Sequence, residues 1–354
     1  MQRINRDKFS ERLRSVTTPV LAVLIAFLLG GVVAMIGKSD VITAYKALFK
    51  GALGGKTAIR QTIRYAIPIL VLSFSFSICN QCGFFFIGQK GIMFLSGLSA
   101  AWLQVFFPNL PIPILFVLML IIGMGIGALV AMIPAYFKKR FGVNEAMIFV
   151  MLDYIVEFLV EYFLLYTAIC SPGSAAMPKS IPIFPKFSNV GLYAVCVFLV
   201  LLFAFIVRRS VVGYRIRITG KNEVFARSCG INTSKTLITA AAIGGAFAGL
   251  AGLLEILGVY HTVYYNFASG NLAFMGITAA LLGRESPIGM VFASLVLGIM
   301  QSGSIALSTK TDIPSELVSV IIGLIMFFAT IDLIASERKK RVHAKDNERK
   351  GRTA

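Results

Sequence analysis

RRSVVGYRIRITGKNEVFARSCGINTSK, residues Arg208 to Lys235, is a strongly basic loop between two long runs of apolar sequence. On either side of it the chain reads as one lipid-soluble helix after another, so the loop separates two membrane halves and suits a cytosolic docking surface. Stretches long enough to cross a ~30 Å hydrocarbon core, about 20 residues as helix, run over 19–36, 66–87, 91–107, 112–136, 146–167 and 190–207 before it. Those after it are 237–259, 287–303 and 317–334, and the apolar piece Asn271 to Leu282 is too short to span unaided. Of the 354 residues only 14% are charged and 57% are hydrophobic, with mean hydropathy +0.82. A soluble domain carries about 25% charged residues, so the expected fold is an all-α polytopic membrane protein.

The net charge of +18 would suggest nucleic acid in a soluble protein. Here the basic residues gather beside apolar segments, as topology signals do, and no nucleic-acid partner is expected. Arg3, Arg6, Lys8, Arg12 and Arg14 precede the first span, Lys138 to Arg140 follow the fourth, and Arg338 to Arg341 follow the last. Counting the short piece as a crossing gives about ten transmembrane helices, with these clusters, the basic loop and both termini in the cytosol. Lys38, Lys46, Lys50, Lys56, Arg60 and Arg64 depart from that pattern and fall outside. The first span reads as a retained signal anchor, since its core is long and no small-residue cleavage site follows before Lys38. The expected organisation is a basic N-terminal segment 1–17, a transmembrane domain 18–335 containing the loop 208–236, and a charged tail 336–354.

Two stretches resemble each other across the halves. Gly83-Phe-Phe-Phe-Ile-Gly-Gln-Lys-Gly and Gly270-Asn-Leu-Ala-Phe-Met-Gly each place Gly and Phe before a helix rich in small residues. Short or broken apolar helices at matching positions of inverted repeats mark a transport path near the midplane, because freed backbone groups line a cavity. Gly123, Gly125 and Gly127, and the run Gly244 to Gly252, supply small residues for close helix packing. The prolines between 168 and 189 mark an external loop.

Few motifs offer chemistry. Cys79 and Cys82 form a lone CxxC with no second pair, so buried inert thiols are the reading, and no metal or cofactor is expected. Lys50-Gly-Ala-Leu-Gly-Gly-Lys-Thr57 falls one glycine short of a nucleotide-binding P-loop, and no apolar strand precedes it. No nucleophile, base and metal-ligand set converges, so an enzyme is not expected. Asp153, Glu157 and Glu161 lie four residues apart on one helix face. Intramembrane carboxylates are costly: these serve a cation or proton relay or a solute, or else Glu157 pairs with a basic group on a neighbouring helix. Glu255 is a further apolar-embedded carboxylate with no sequence-local partner. In the loop, Asn222 suits a helix start and Gly230 its end, presenting Arg215, Arg217, Lys221 and Arg227 to lipid head groups or to a soluble protein.

Together these residues resemble the permease subunits of bacterial ABC importers in the simple-sugar and nucleoside (branched-chain amino acid/ribose-type) permease family. Gly83 to Gly91 is similar to that family's GLFNIGxEGQ, Gly220 to Ile231 to its G…AxxxGI coupling segment, and Asn271 to Gly289, with Gly276 to Arg284 and Pro287 to Gly289, to its GIAVALLGRxxPxG. Asn144-Glu145 and Met151-Leu-Asp-Tyr-Ile155 are similar to its NE…MLNYI, and the match covers roughly residues 45 to 335. Phe86, Lys90 and Ile92 stand where the family has Asn, Glu and Gln, and Asp153 where it has Asn.

The resemblance implies a multi-pass subunit of the bacterial cell membrane, closest to the nucleoside branch, with a simple-sugar permease as the alternative. It implies a cytosolic ABC ATPase that hydrolyses ATP, a sister permease or a second copy of this chain, and an external solute-binding lipoprotein. Phe84, Phe85, Phe86, Gln89, Asp153, Glu157, Glu255, Asn271 and Phe274 are then expected along the path of a nucleoside or sugar. Asn222, Glu223, Arg227 and Gly230 are expected to couple it to the ATPase. An ion-coupled secondary transporter using Asp153, Glu157 and Glu255 is the alternative of another class.

Overall fold

The structure, a computed structural model, describes residues 41–171, 179–183, 209–264, 271–310 and 319–327, with Leu28 and Gly31. The expected spans 19–36 and 190–207, the segment 1–17 and the tail 336–354 lie outside or almost wholly outside these residues. The helices are α1 (Val41–Leu53), α2 (Lys56–Asn80), α3 (Gln89–Phe106), α4 (Ile112–Phe141) and α5 (Glu145–Tyr166). After them come α6 (Val211–Lys221), α7 (Glu223–Ser228), α8 (Thr233–Glu255), α9 (Asn271–Leu282) and α10 (Pro287–Lys310). A π-helical turn, Ile256–Tyr260, continues α8. Among the described residues, β-pairing is confined to isolated bridges, Cys170 with Ser180 and Lys179 with Tyr264. The chain is an all-α, multi-pass membrane protein. Four described helices, α2, α4, α8 with its π turn, and the first part of α10, are long and apolar enough to cross a bilayer.

The helix ends follow local chemistry. Asn144, Ser210, Asn222 and Asn232 each accept a backbone N–H of the turn that follows, at 2.9, 3.2, 3.0 and 3.0 Å, satisfying donors that have no partner inside the helix. Gly142, at φ 67°, ends α4 in the left-handed conformation.

The described residues form two compact units. In the first, Ile63–Ala280, α8 lies along α4 with glycines at the seam: a methyl group on Gly245 would collide with the Gly127 carbonyl, and one on Gly249 with that of Gly123. Gly125, on the opposite side of α4, faces open space. Lipid tails are as apolar as leucine, so close backbone approach replaces the hydrophobic effect as the attraction between such helices. The outer face of α4 exposes Ile114, Val117, Ile121 and Leu129. Ser75 and Cys79 of α2 tie to α8 by bonds to the carbonyls of Gly244 (2.7 Å) and Ala240 (3.5 Å). The segment 179–183 pairs with the end of the π turn, Ser180 N donating to Val263 O and Ile183 N to His261 O, each at 2.7 Å.

The second unit holds the described parts of Met1–Thr62 and Leu281–Ala354. Within it α1 packs against α10, with Gly303 seated on Leu48, and Thr62 donates to the Ala52 carbonyl at 2.8 Å.

Candidate functional site

The basic loop folds into α6 and the short helix α7, which Asn222 starts and Gly230, at φ 75°, terminates. Only a residue tolerant of positive φ fits that stop. On α7, Glu223 gathers three partners: Lys139 Nζ at 2.5 Å, Arg227 Nη2 at 2.8 Å and Thr233 Oγ1 at 3.0 Å. The Lys139 hydrogen bond leads in pulling its carboxyl down from 4.5 to about 2, so Glu223 is a fixed anion at any physiological pH. The same helix exposes Val224 and Phe225, 74% and 55% accessible.

The neighbouring Lys138 points elsewhere. Its Nζ pairs with Glu145 at 2.6 Å, donates to the Gly83 carbonyl at 2.8 Å and lies 5.6 Å from the Phe84 ring centre. Glu145 also accepts from Phe85 N at 3.2 Å. Gly220, at the end of α6, touches the Gln81 carbonyl so closely that a Cβ would not fit. The two adjacent lysines ending α4 therefore grip α7 with one side chain and the 83–88 stretch with the other. These contacts bring the 83–88 stretch and the loop containing Glu223 together at one end of the unit.

Between α3 and α5 lies a charged seam. Lys90 pairs with Glu157 at 2.9 Å, and Asp153 Oδ1 accepts from Gly91 N at 2.9 Å, satisfying a first-turn donor of α3 that has no partner inside the helix. Gln89, fully buried, donates from Nε2 to Leu72 O at 2.9 Å while its Oε1 has no partner. Gly276 of α9 packs against the same Leu72, so both short-helix motifs meet one residue of α2.

Glu255 ends α8 just before the π turn. It is 2% exposed, and its Oε1 makes no hydrogen bond. Arg64 of α2 is a cationic neighbour, and its Nε is likewise buried without a partner. Tyr260, at the end of the π turn, and Tyr264, just past it, meet edge to face with ring centres 5.0 Å apart. An unpartnered carboxylate oxygen, a guanidinium N–H and phenol rings can accept, donate and stack.

The residues singled out from sequence thus fall into separate neighbourhoods. Phe84 and Phe86 are fully buried and close on Phe149, at 5.5 and 5.0 Å between ring centres, while Phe85 is exposed and meets Phe76 edge to face. Asp153 and Glu157 share the seam with Lys90. Glu255 stands with Arg64. Asn271 and Phe274 lie exposed on the first turn of α9. Sequence reading passed over Lys138, Lys139 and Arg64 as chemistry, taking them as topology charges, and the clustering of lysines next to a glutamate-bearing loop was the signal available.

Residues 58–330 match the family described as branched-chain amino acid transport system, permease component. The chain is 29% identical to the nucleoside ABC transporter permease protein NupB of Lactococcus lactis, covering 92% of this chain and 93% of that one. It is 28% identical to the guanosine ABC transporter permease protein NupP of Bacillus subtilis, over 90% and 94%. It is also 28% identical to the glucose ABC transporter permease protein TsgB13 of Haloferax volcanii, over 92% and 88%.

Proposed function

Since the chain belongs to the branched-chain amino acid transport system permease component family, we propose that it is the membrane-spanning subunit of an ATP-driven importer of nucleosides. The observation that carries the ATP-driven part is the joint at α7: exposed Val224 and Phe225 beside Glu223, which is locked to α4. A separate ABC ATPase seats on those two apolar side chains from the cytosol. Its closure moves α7 as a rigid body, Glu223 carries Lys139 and the end of α4 with it, and Lys138 passes the shift to the 83–88 stretch and α5. Asn222 and Gly230 keep α7 short and stiff, and Arg227 braces Glu223.

The nucleoside assignment draws on the Lactococcus and Bacillus relatives and on the available groups. A nucleoside offers a flat base and ribose hydroxyls; Tyr260 and Tyr264 suit the first, and the free oxygen of the neighbouring Glu255 suits the second. An external solute-binding lipoprotein delivers the solute, and a second permease, sister or self, completes the pathway. A simple sugar is the second reading, favoured by the Haloferax relative, and it would use the hydroxyl-binding group without the rings. Asp153 and Glu157 are taken up by Gly91 and Lys90, which leaves them poorly placed as an ion relay.

The test is uptake of labelled guanosine and glucose into proteoliposomes holding the chain with its co-purified ATPase and binding protein. Guanosine uptake is expected to follow ATP and persist when ionophores collapse the gradients. Val224→Asp with Phe225→Asp is expected to cut it more than about tenfold and release the ATPase, since charge in an apolar contact costs several kcal/mol. Uptake that vanishes with the gradients while ATP remains would overturn the ATP-driven reading, and glucose uptake without guanosine uptake would replace the solute.

A further inference from the structure

In the unit containing α1 and α10, a cavity of about 450 Å³ opens around the turn between α1 and α2, lined by Lys50, Lys56, Thr57, Gln61 and, from α10, Ser302 and Ile305. Its size falls within the usual range for small-molecule sites. It lies on the segment that nearly spells a P-loop, but a helix, α1, stands where that loop needs a strand. Residues 41–62 contain Lys46, Lys50, Lys56 and Arg60 and no Asp or Glu. The N–H groups of the first turn of α2, Lys56, Thr57 and Ala58, have no acceptor within their own helix and point out of its positive end.

Ser302 supplies an independent sign. Serines inside helices commonly donate to a carbonyl one turn back, as Ser294 does to Val291 at 2.9 Å and Ser304 to Gln301 at 2.7 Å in the same helix. Ser302 does not: it is 4% exposed, its Oγ has no hydrogen-bond partner, and it lines this cavity. Two ammonium groups, a helix N-terminus, a threonine hydroxyl and an uncommitted serine hydroxyl make a donor set with no anion among its lining residues.

We propose that this cavity binds a phosphate group, either the phosphodiester of an anionic lipid headgroup or free phosphate. Phosphate accepts several charge-assisted hydrogen bonds at once and is the group that helix N-termini hold best. Lipid is the nearer source, because Ile42, Phe49 and Leu53 lie along one exposed stripe of α1 at spacings that share a helix face, with Lys50 close beside it. That is the pattern of a helix lying at a membrane surface. The site also gives this basic cluster a role where the other charges place it outside the cytosol: its lysines hold an anion. That placement rests on the proposed orientation, but the binding does not, so the two fail separately.

The experiment is native mass spectrometry of the full chain released from nanodiscs of phosphatidylcholine with or without phosphatidylglycerol, with inorganic phosphate added as competitor. One phosphatidylglycerol is expected to remain per chain. Lys50→Gln with Lys56→Gln is expected to reduce its retention about tenfold, Ser302→Ala about threefold, and Lys46→Gln with Arg60→Gln, an equal loss of charge outside the cavity, less than about twofold. Phosphate binding in pure phosphatidylcholine, with the same variant order, would identify free phosphate as the source. Retention of neither, or equal weakening by the two charge-removing pairs, would overturn the site.

Discussion

Lys90 lies in the first turn of α3 next to two carboxylates of α5, and its meaning lies in that company. A lone lysine or a lone glutamate at this depth is costly, whereas the pair at 2.9 Å, with 24% and 15% of the side chains exposed, is largely self-compensating. Removing one partner leaves the other unpaired; removing both with apolar residues of similar volume does not. Lys90→Met is therefore expected to destabilise the protein by about 1–3 kcal/mol, and Lys90→Met with Glu157→Met to lie within about 1 kcal/mol of the parent. Thermal melting in one detergent measures both, and losses that simply add would show that the groups do not depend on each other. The sequence displayed the two departures, Lys90 for Glu and Asp153 for Asn, but not their relation. Lys90 and its partner Glu157 are 67 residues apart in sequence, and their proximity comes from how α3 and α5 pack. The same limit hid the fate of Phe84 and Phe86: aromatic runs look alike in sequence whether they fill a core or face a solute.

Helices were legible where caps or glycines set them and less so where hydropathy alone did. Asn222 and Gly230 bound α7 as their chemistry requires. By contrast the apolar window 66–87 became Lys56–Asn80. The helix continues through Arg60 and Arg64, whose charges hydropathy counts against a span, and stops before Gly83-Phe-Phe-Phe, whose apolar side chains say nothing of backbone shape. The π turn after Glu255 has no sequence sign at all. The glycine seam of α4 and α8 was visible as a composition, but which glycines touch depends on helix phase: Gly123 and Gly127 face α8, and Gly125 faces away. Gly245→Ala forces two backbones apart and is expected to cost about 1–3 kcal/mol, as overpacking does. Gly125→Ala meets nothing within 4 Å and is expected to be neutral or to stabilise by up to about 1 kcal/mol through helix propensity. Comparing melting temperatures of the two variants separates a packing seam from a general dislike of alanine, because only the former distinguishes them.

For the whole chain, the distribution of lysine and arginine predicts an orientation, and the described contacts agree on which loops share an end. Lys138, Lys139, Glu145 and the 83–88 stretch gather with α7, while 179–183 gathers with 261–264. The first set holds basic residues that mark the cytosol, so α7 should be inaccessible from outside, which ATPase docking requires. Cys229, exposed beside α7, reports on the first end, and Ala168→Cys, at an exposed position after α5, reports on the other. With each as the single cysteine, a membrane-impermeant maleimide is expected to label Ala168→Cys in intact cells and Cys229 only after permeabilisation. α5 joins the two ends, so its direction follows from the same measurement. Labelling of Cys229 in intact cells would reverse the orientation and put Val224 and Phe225 where no ATP-hydrolysing partner could reach them, leaving the family's mode of coupling without a surface to act on.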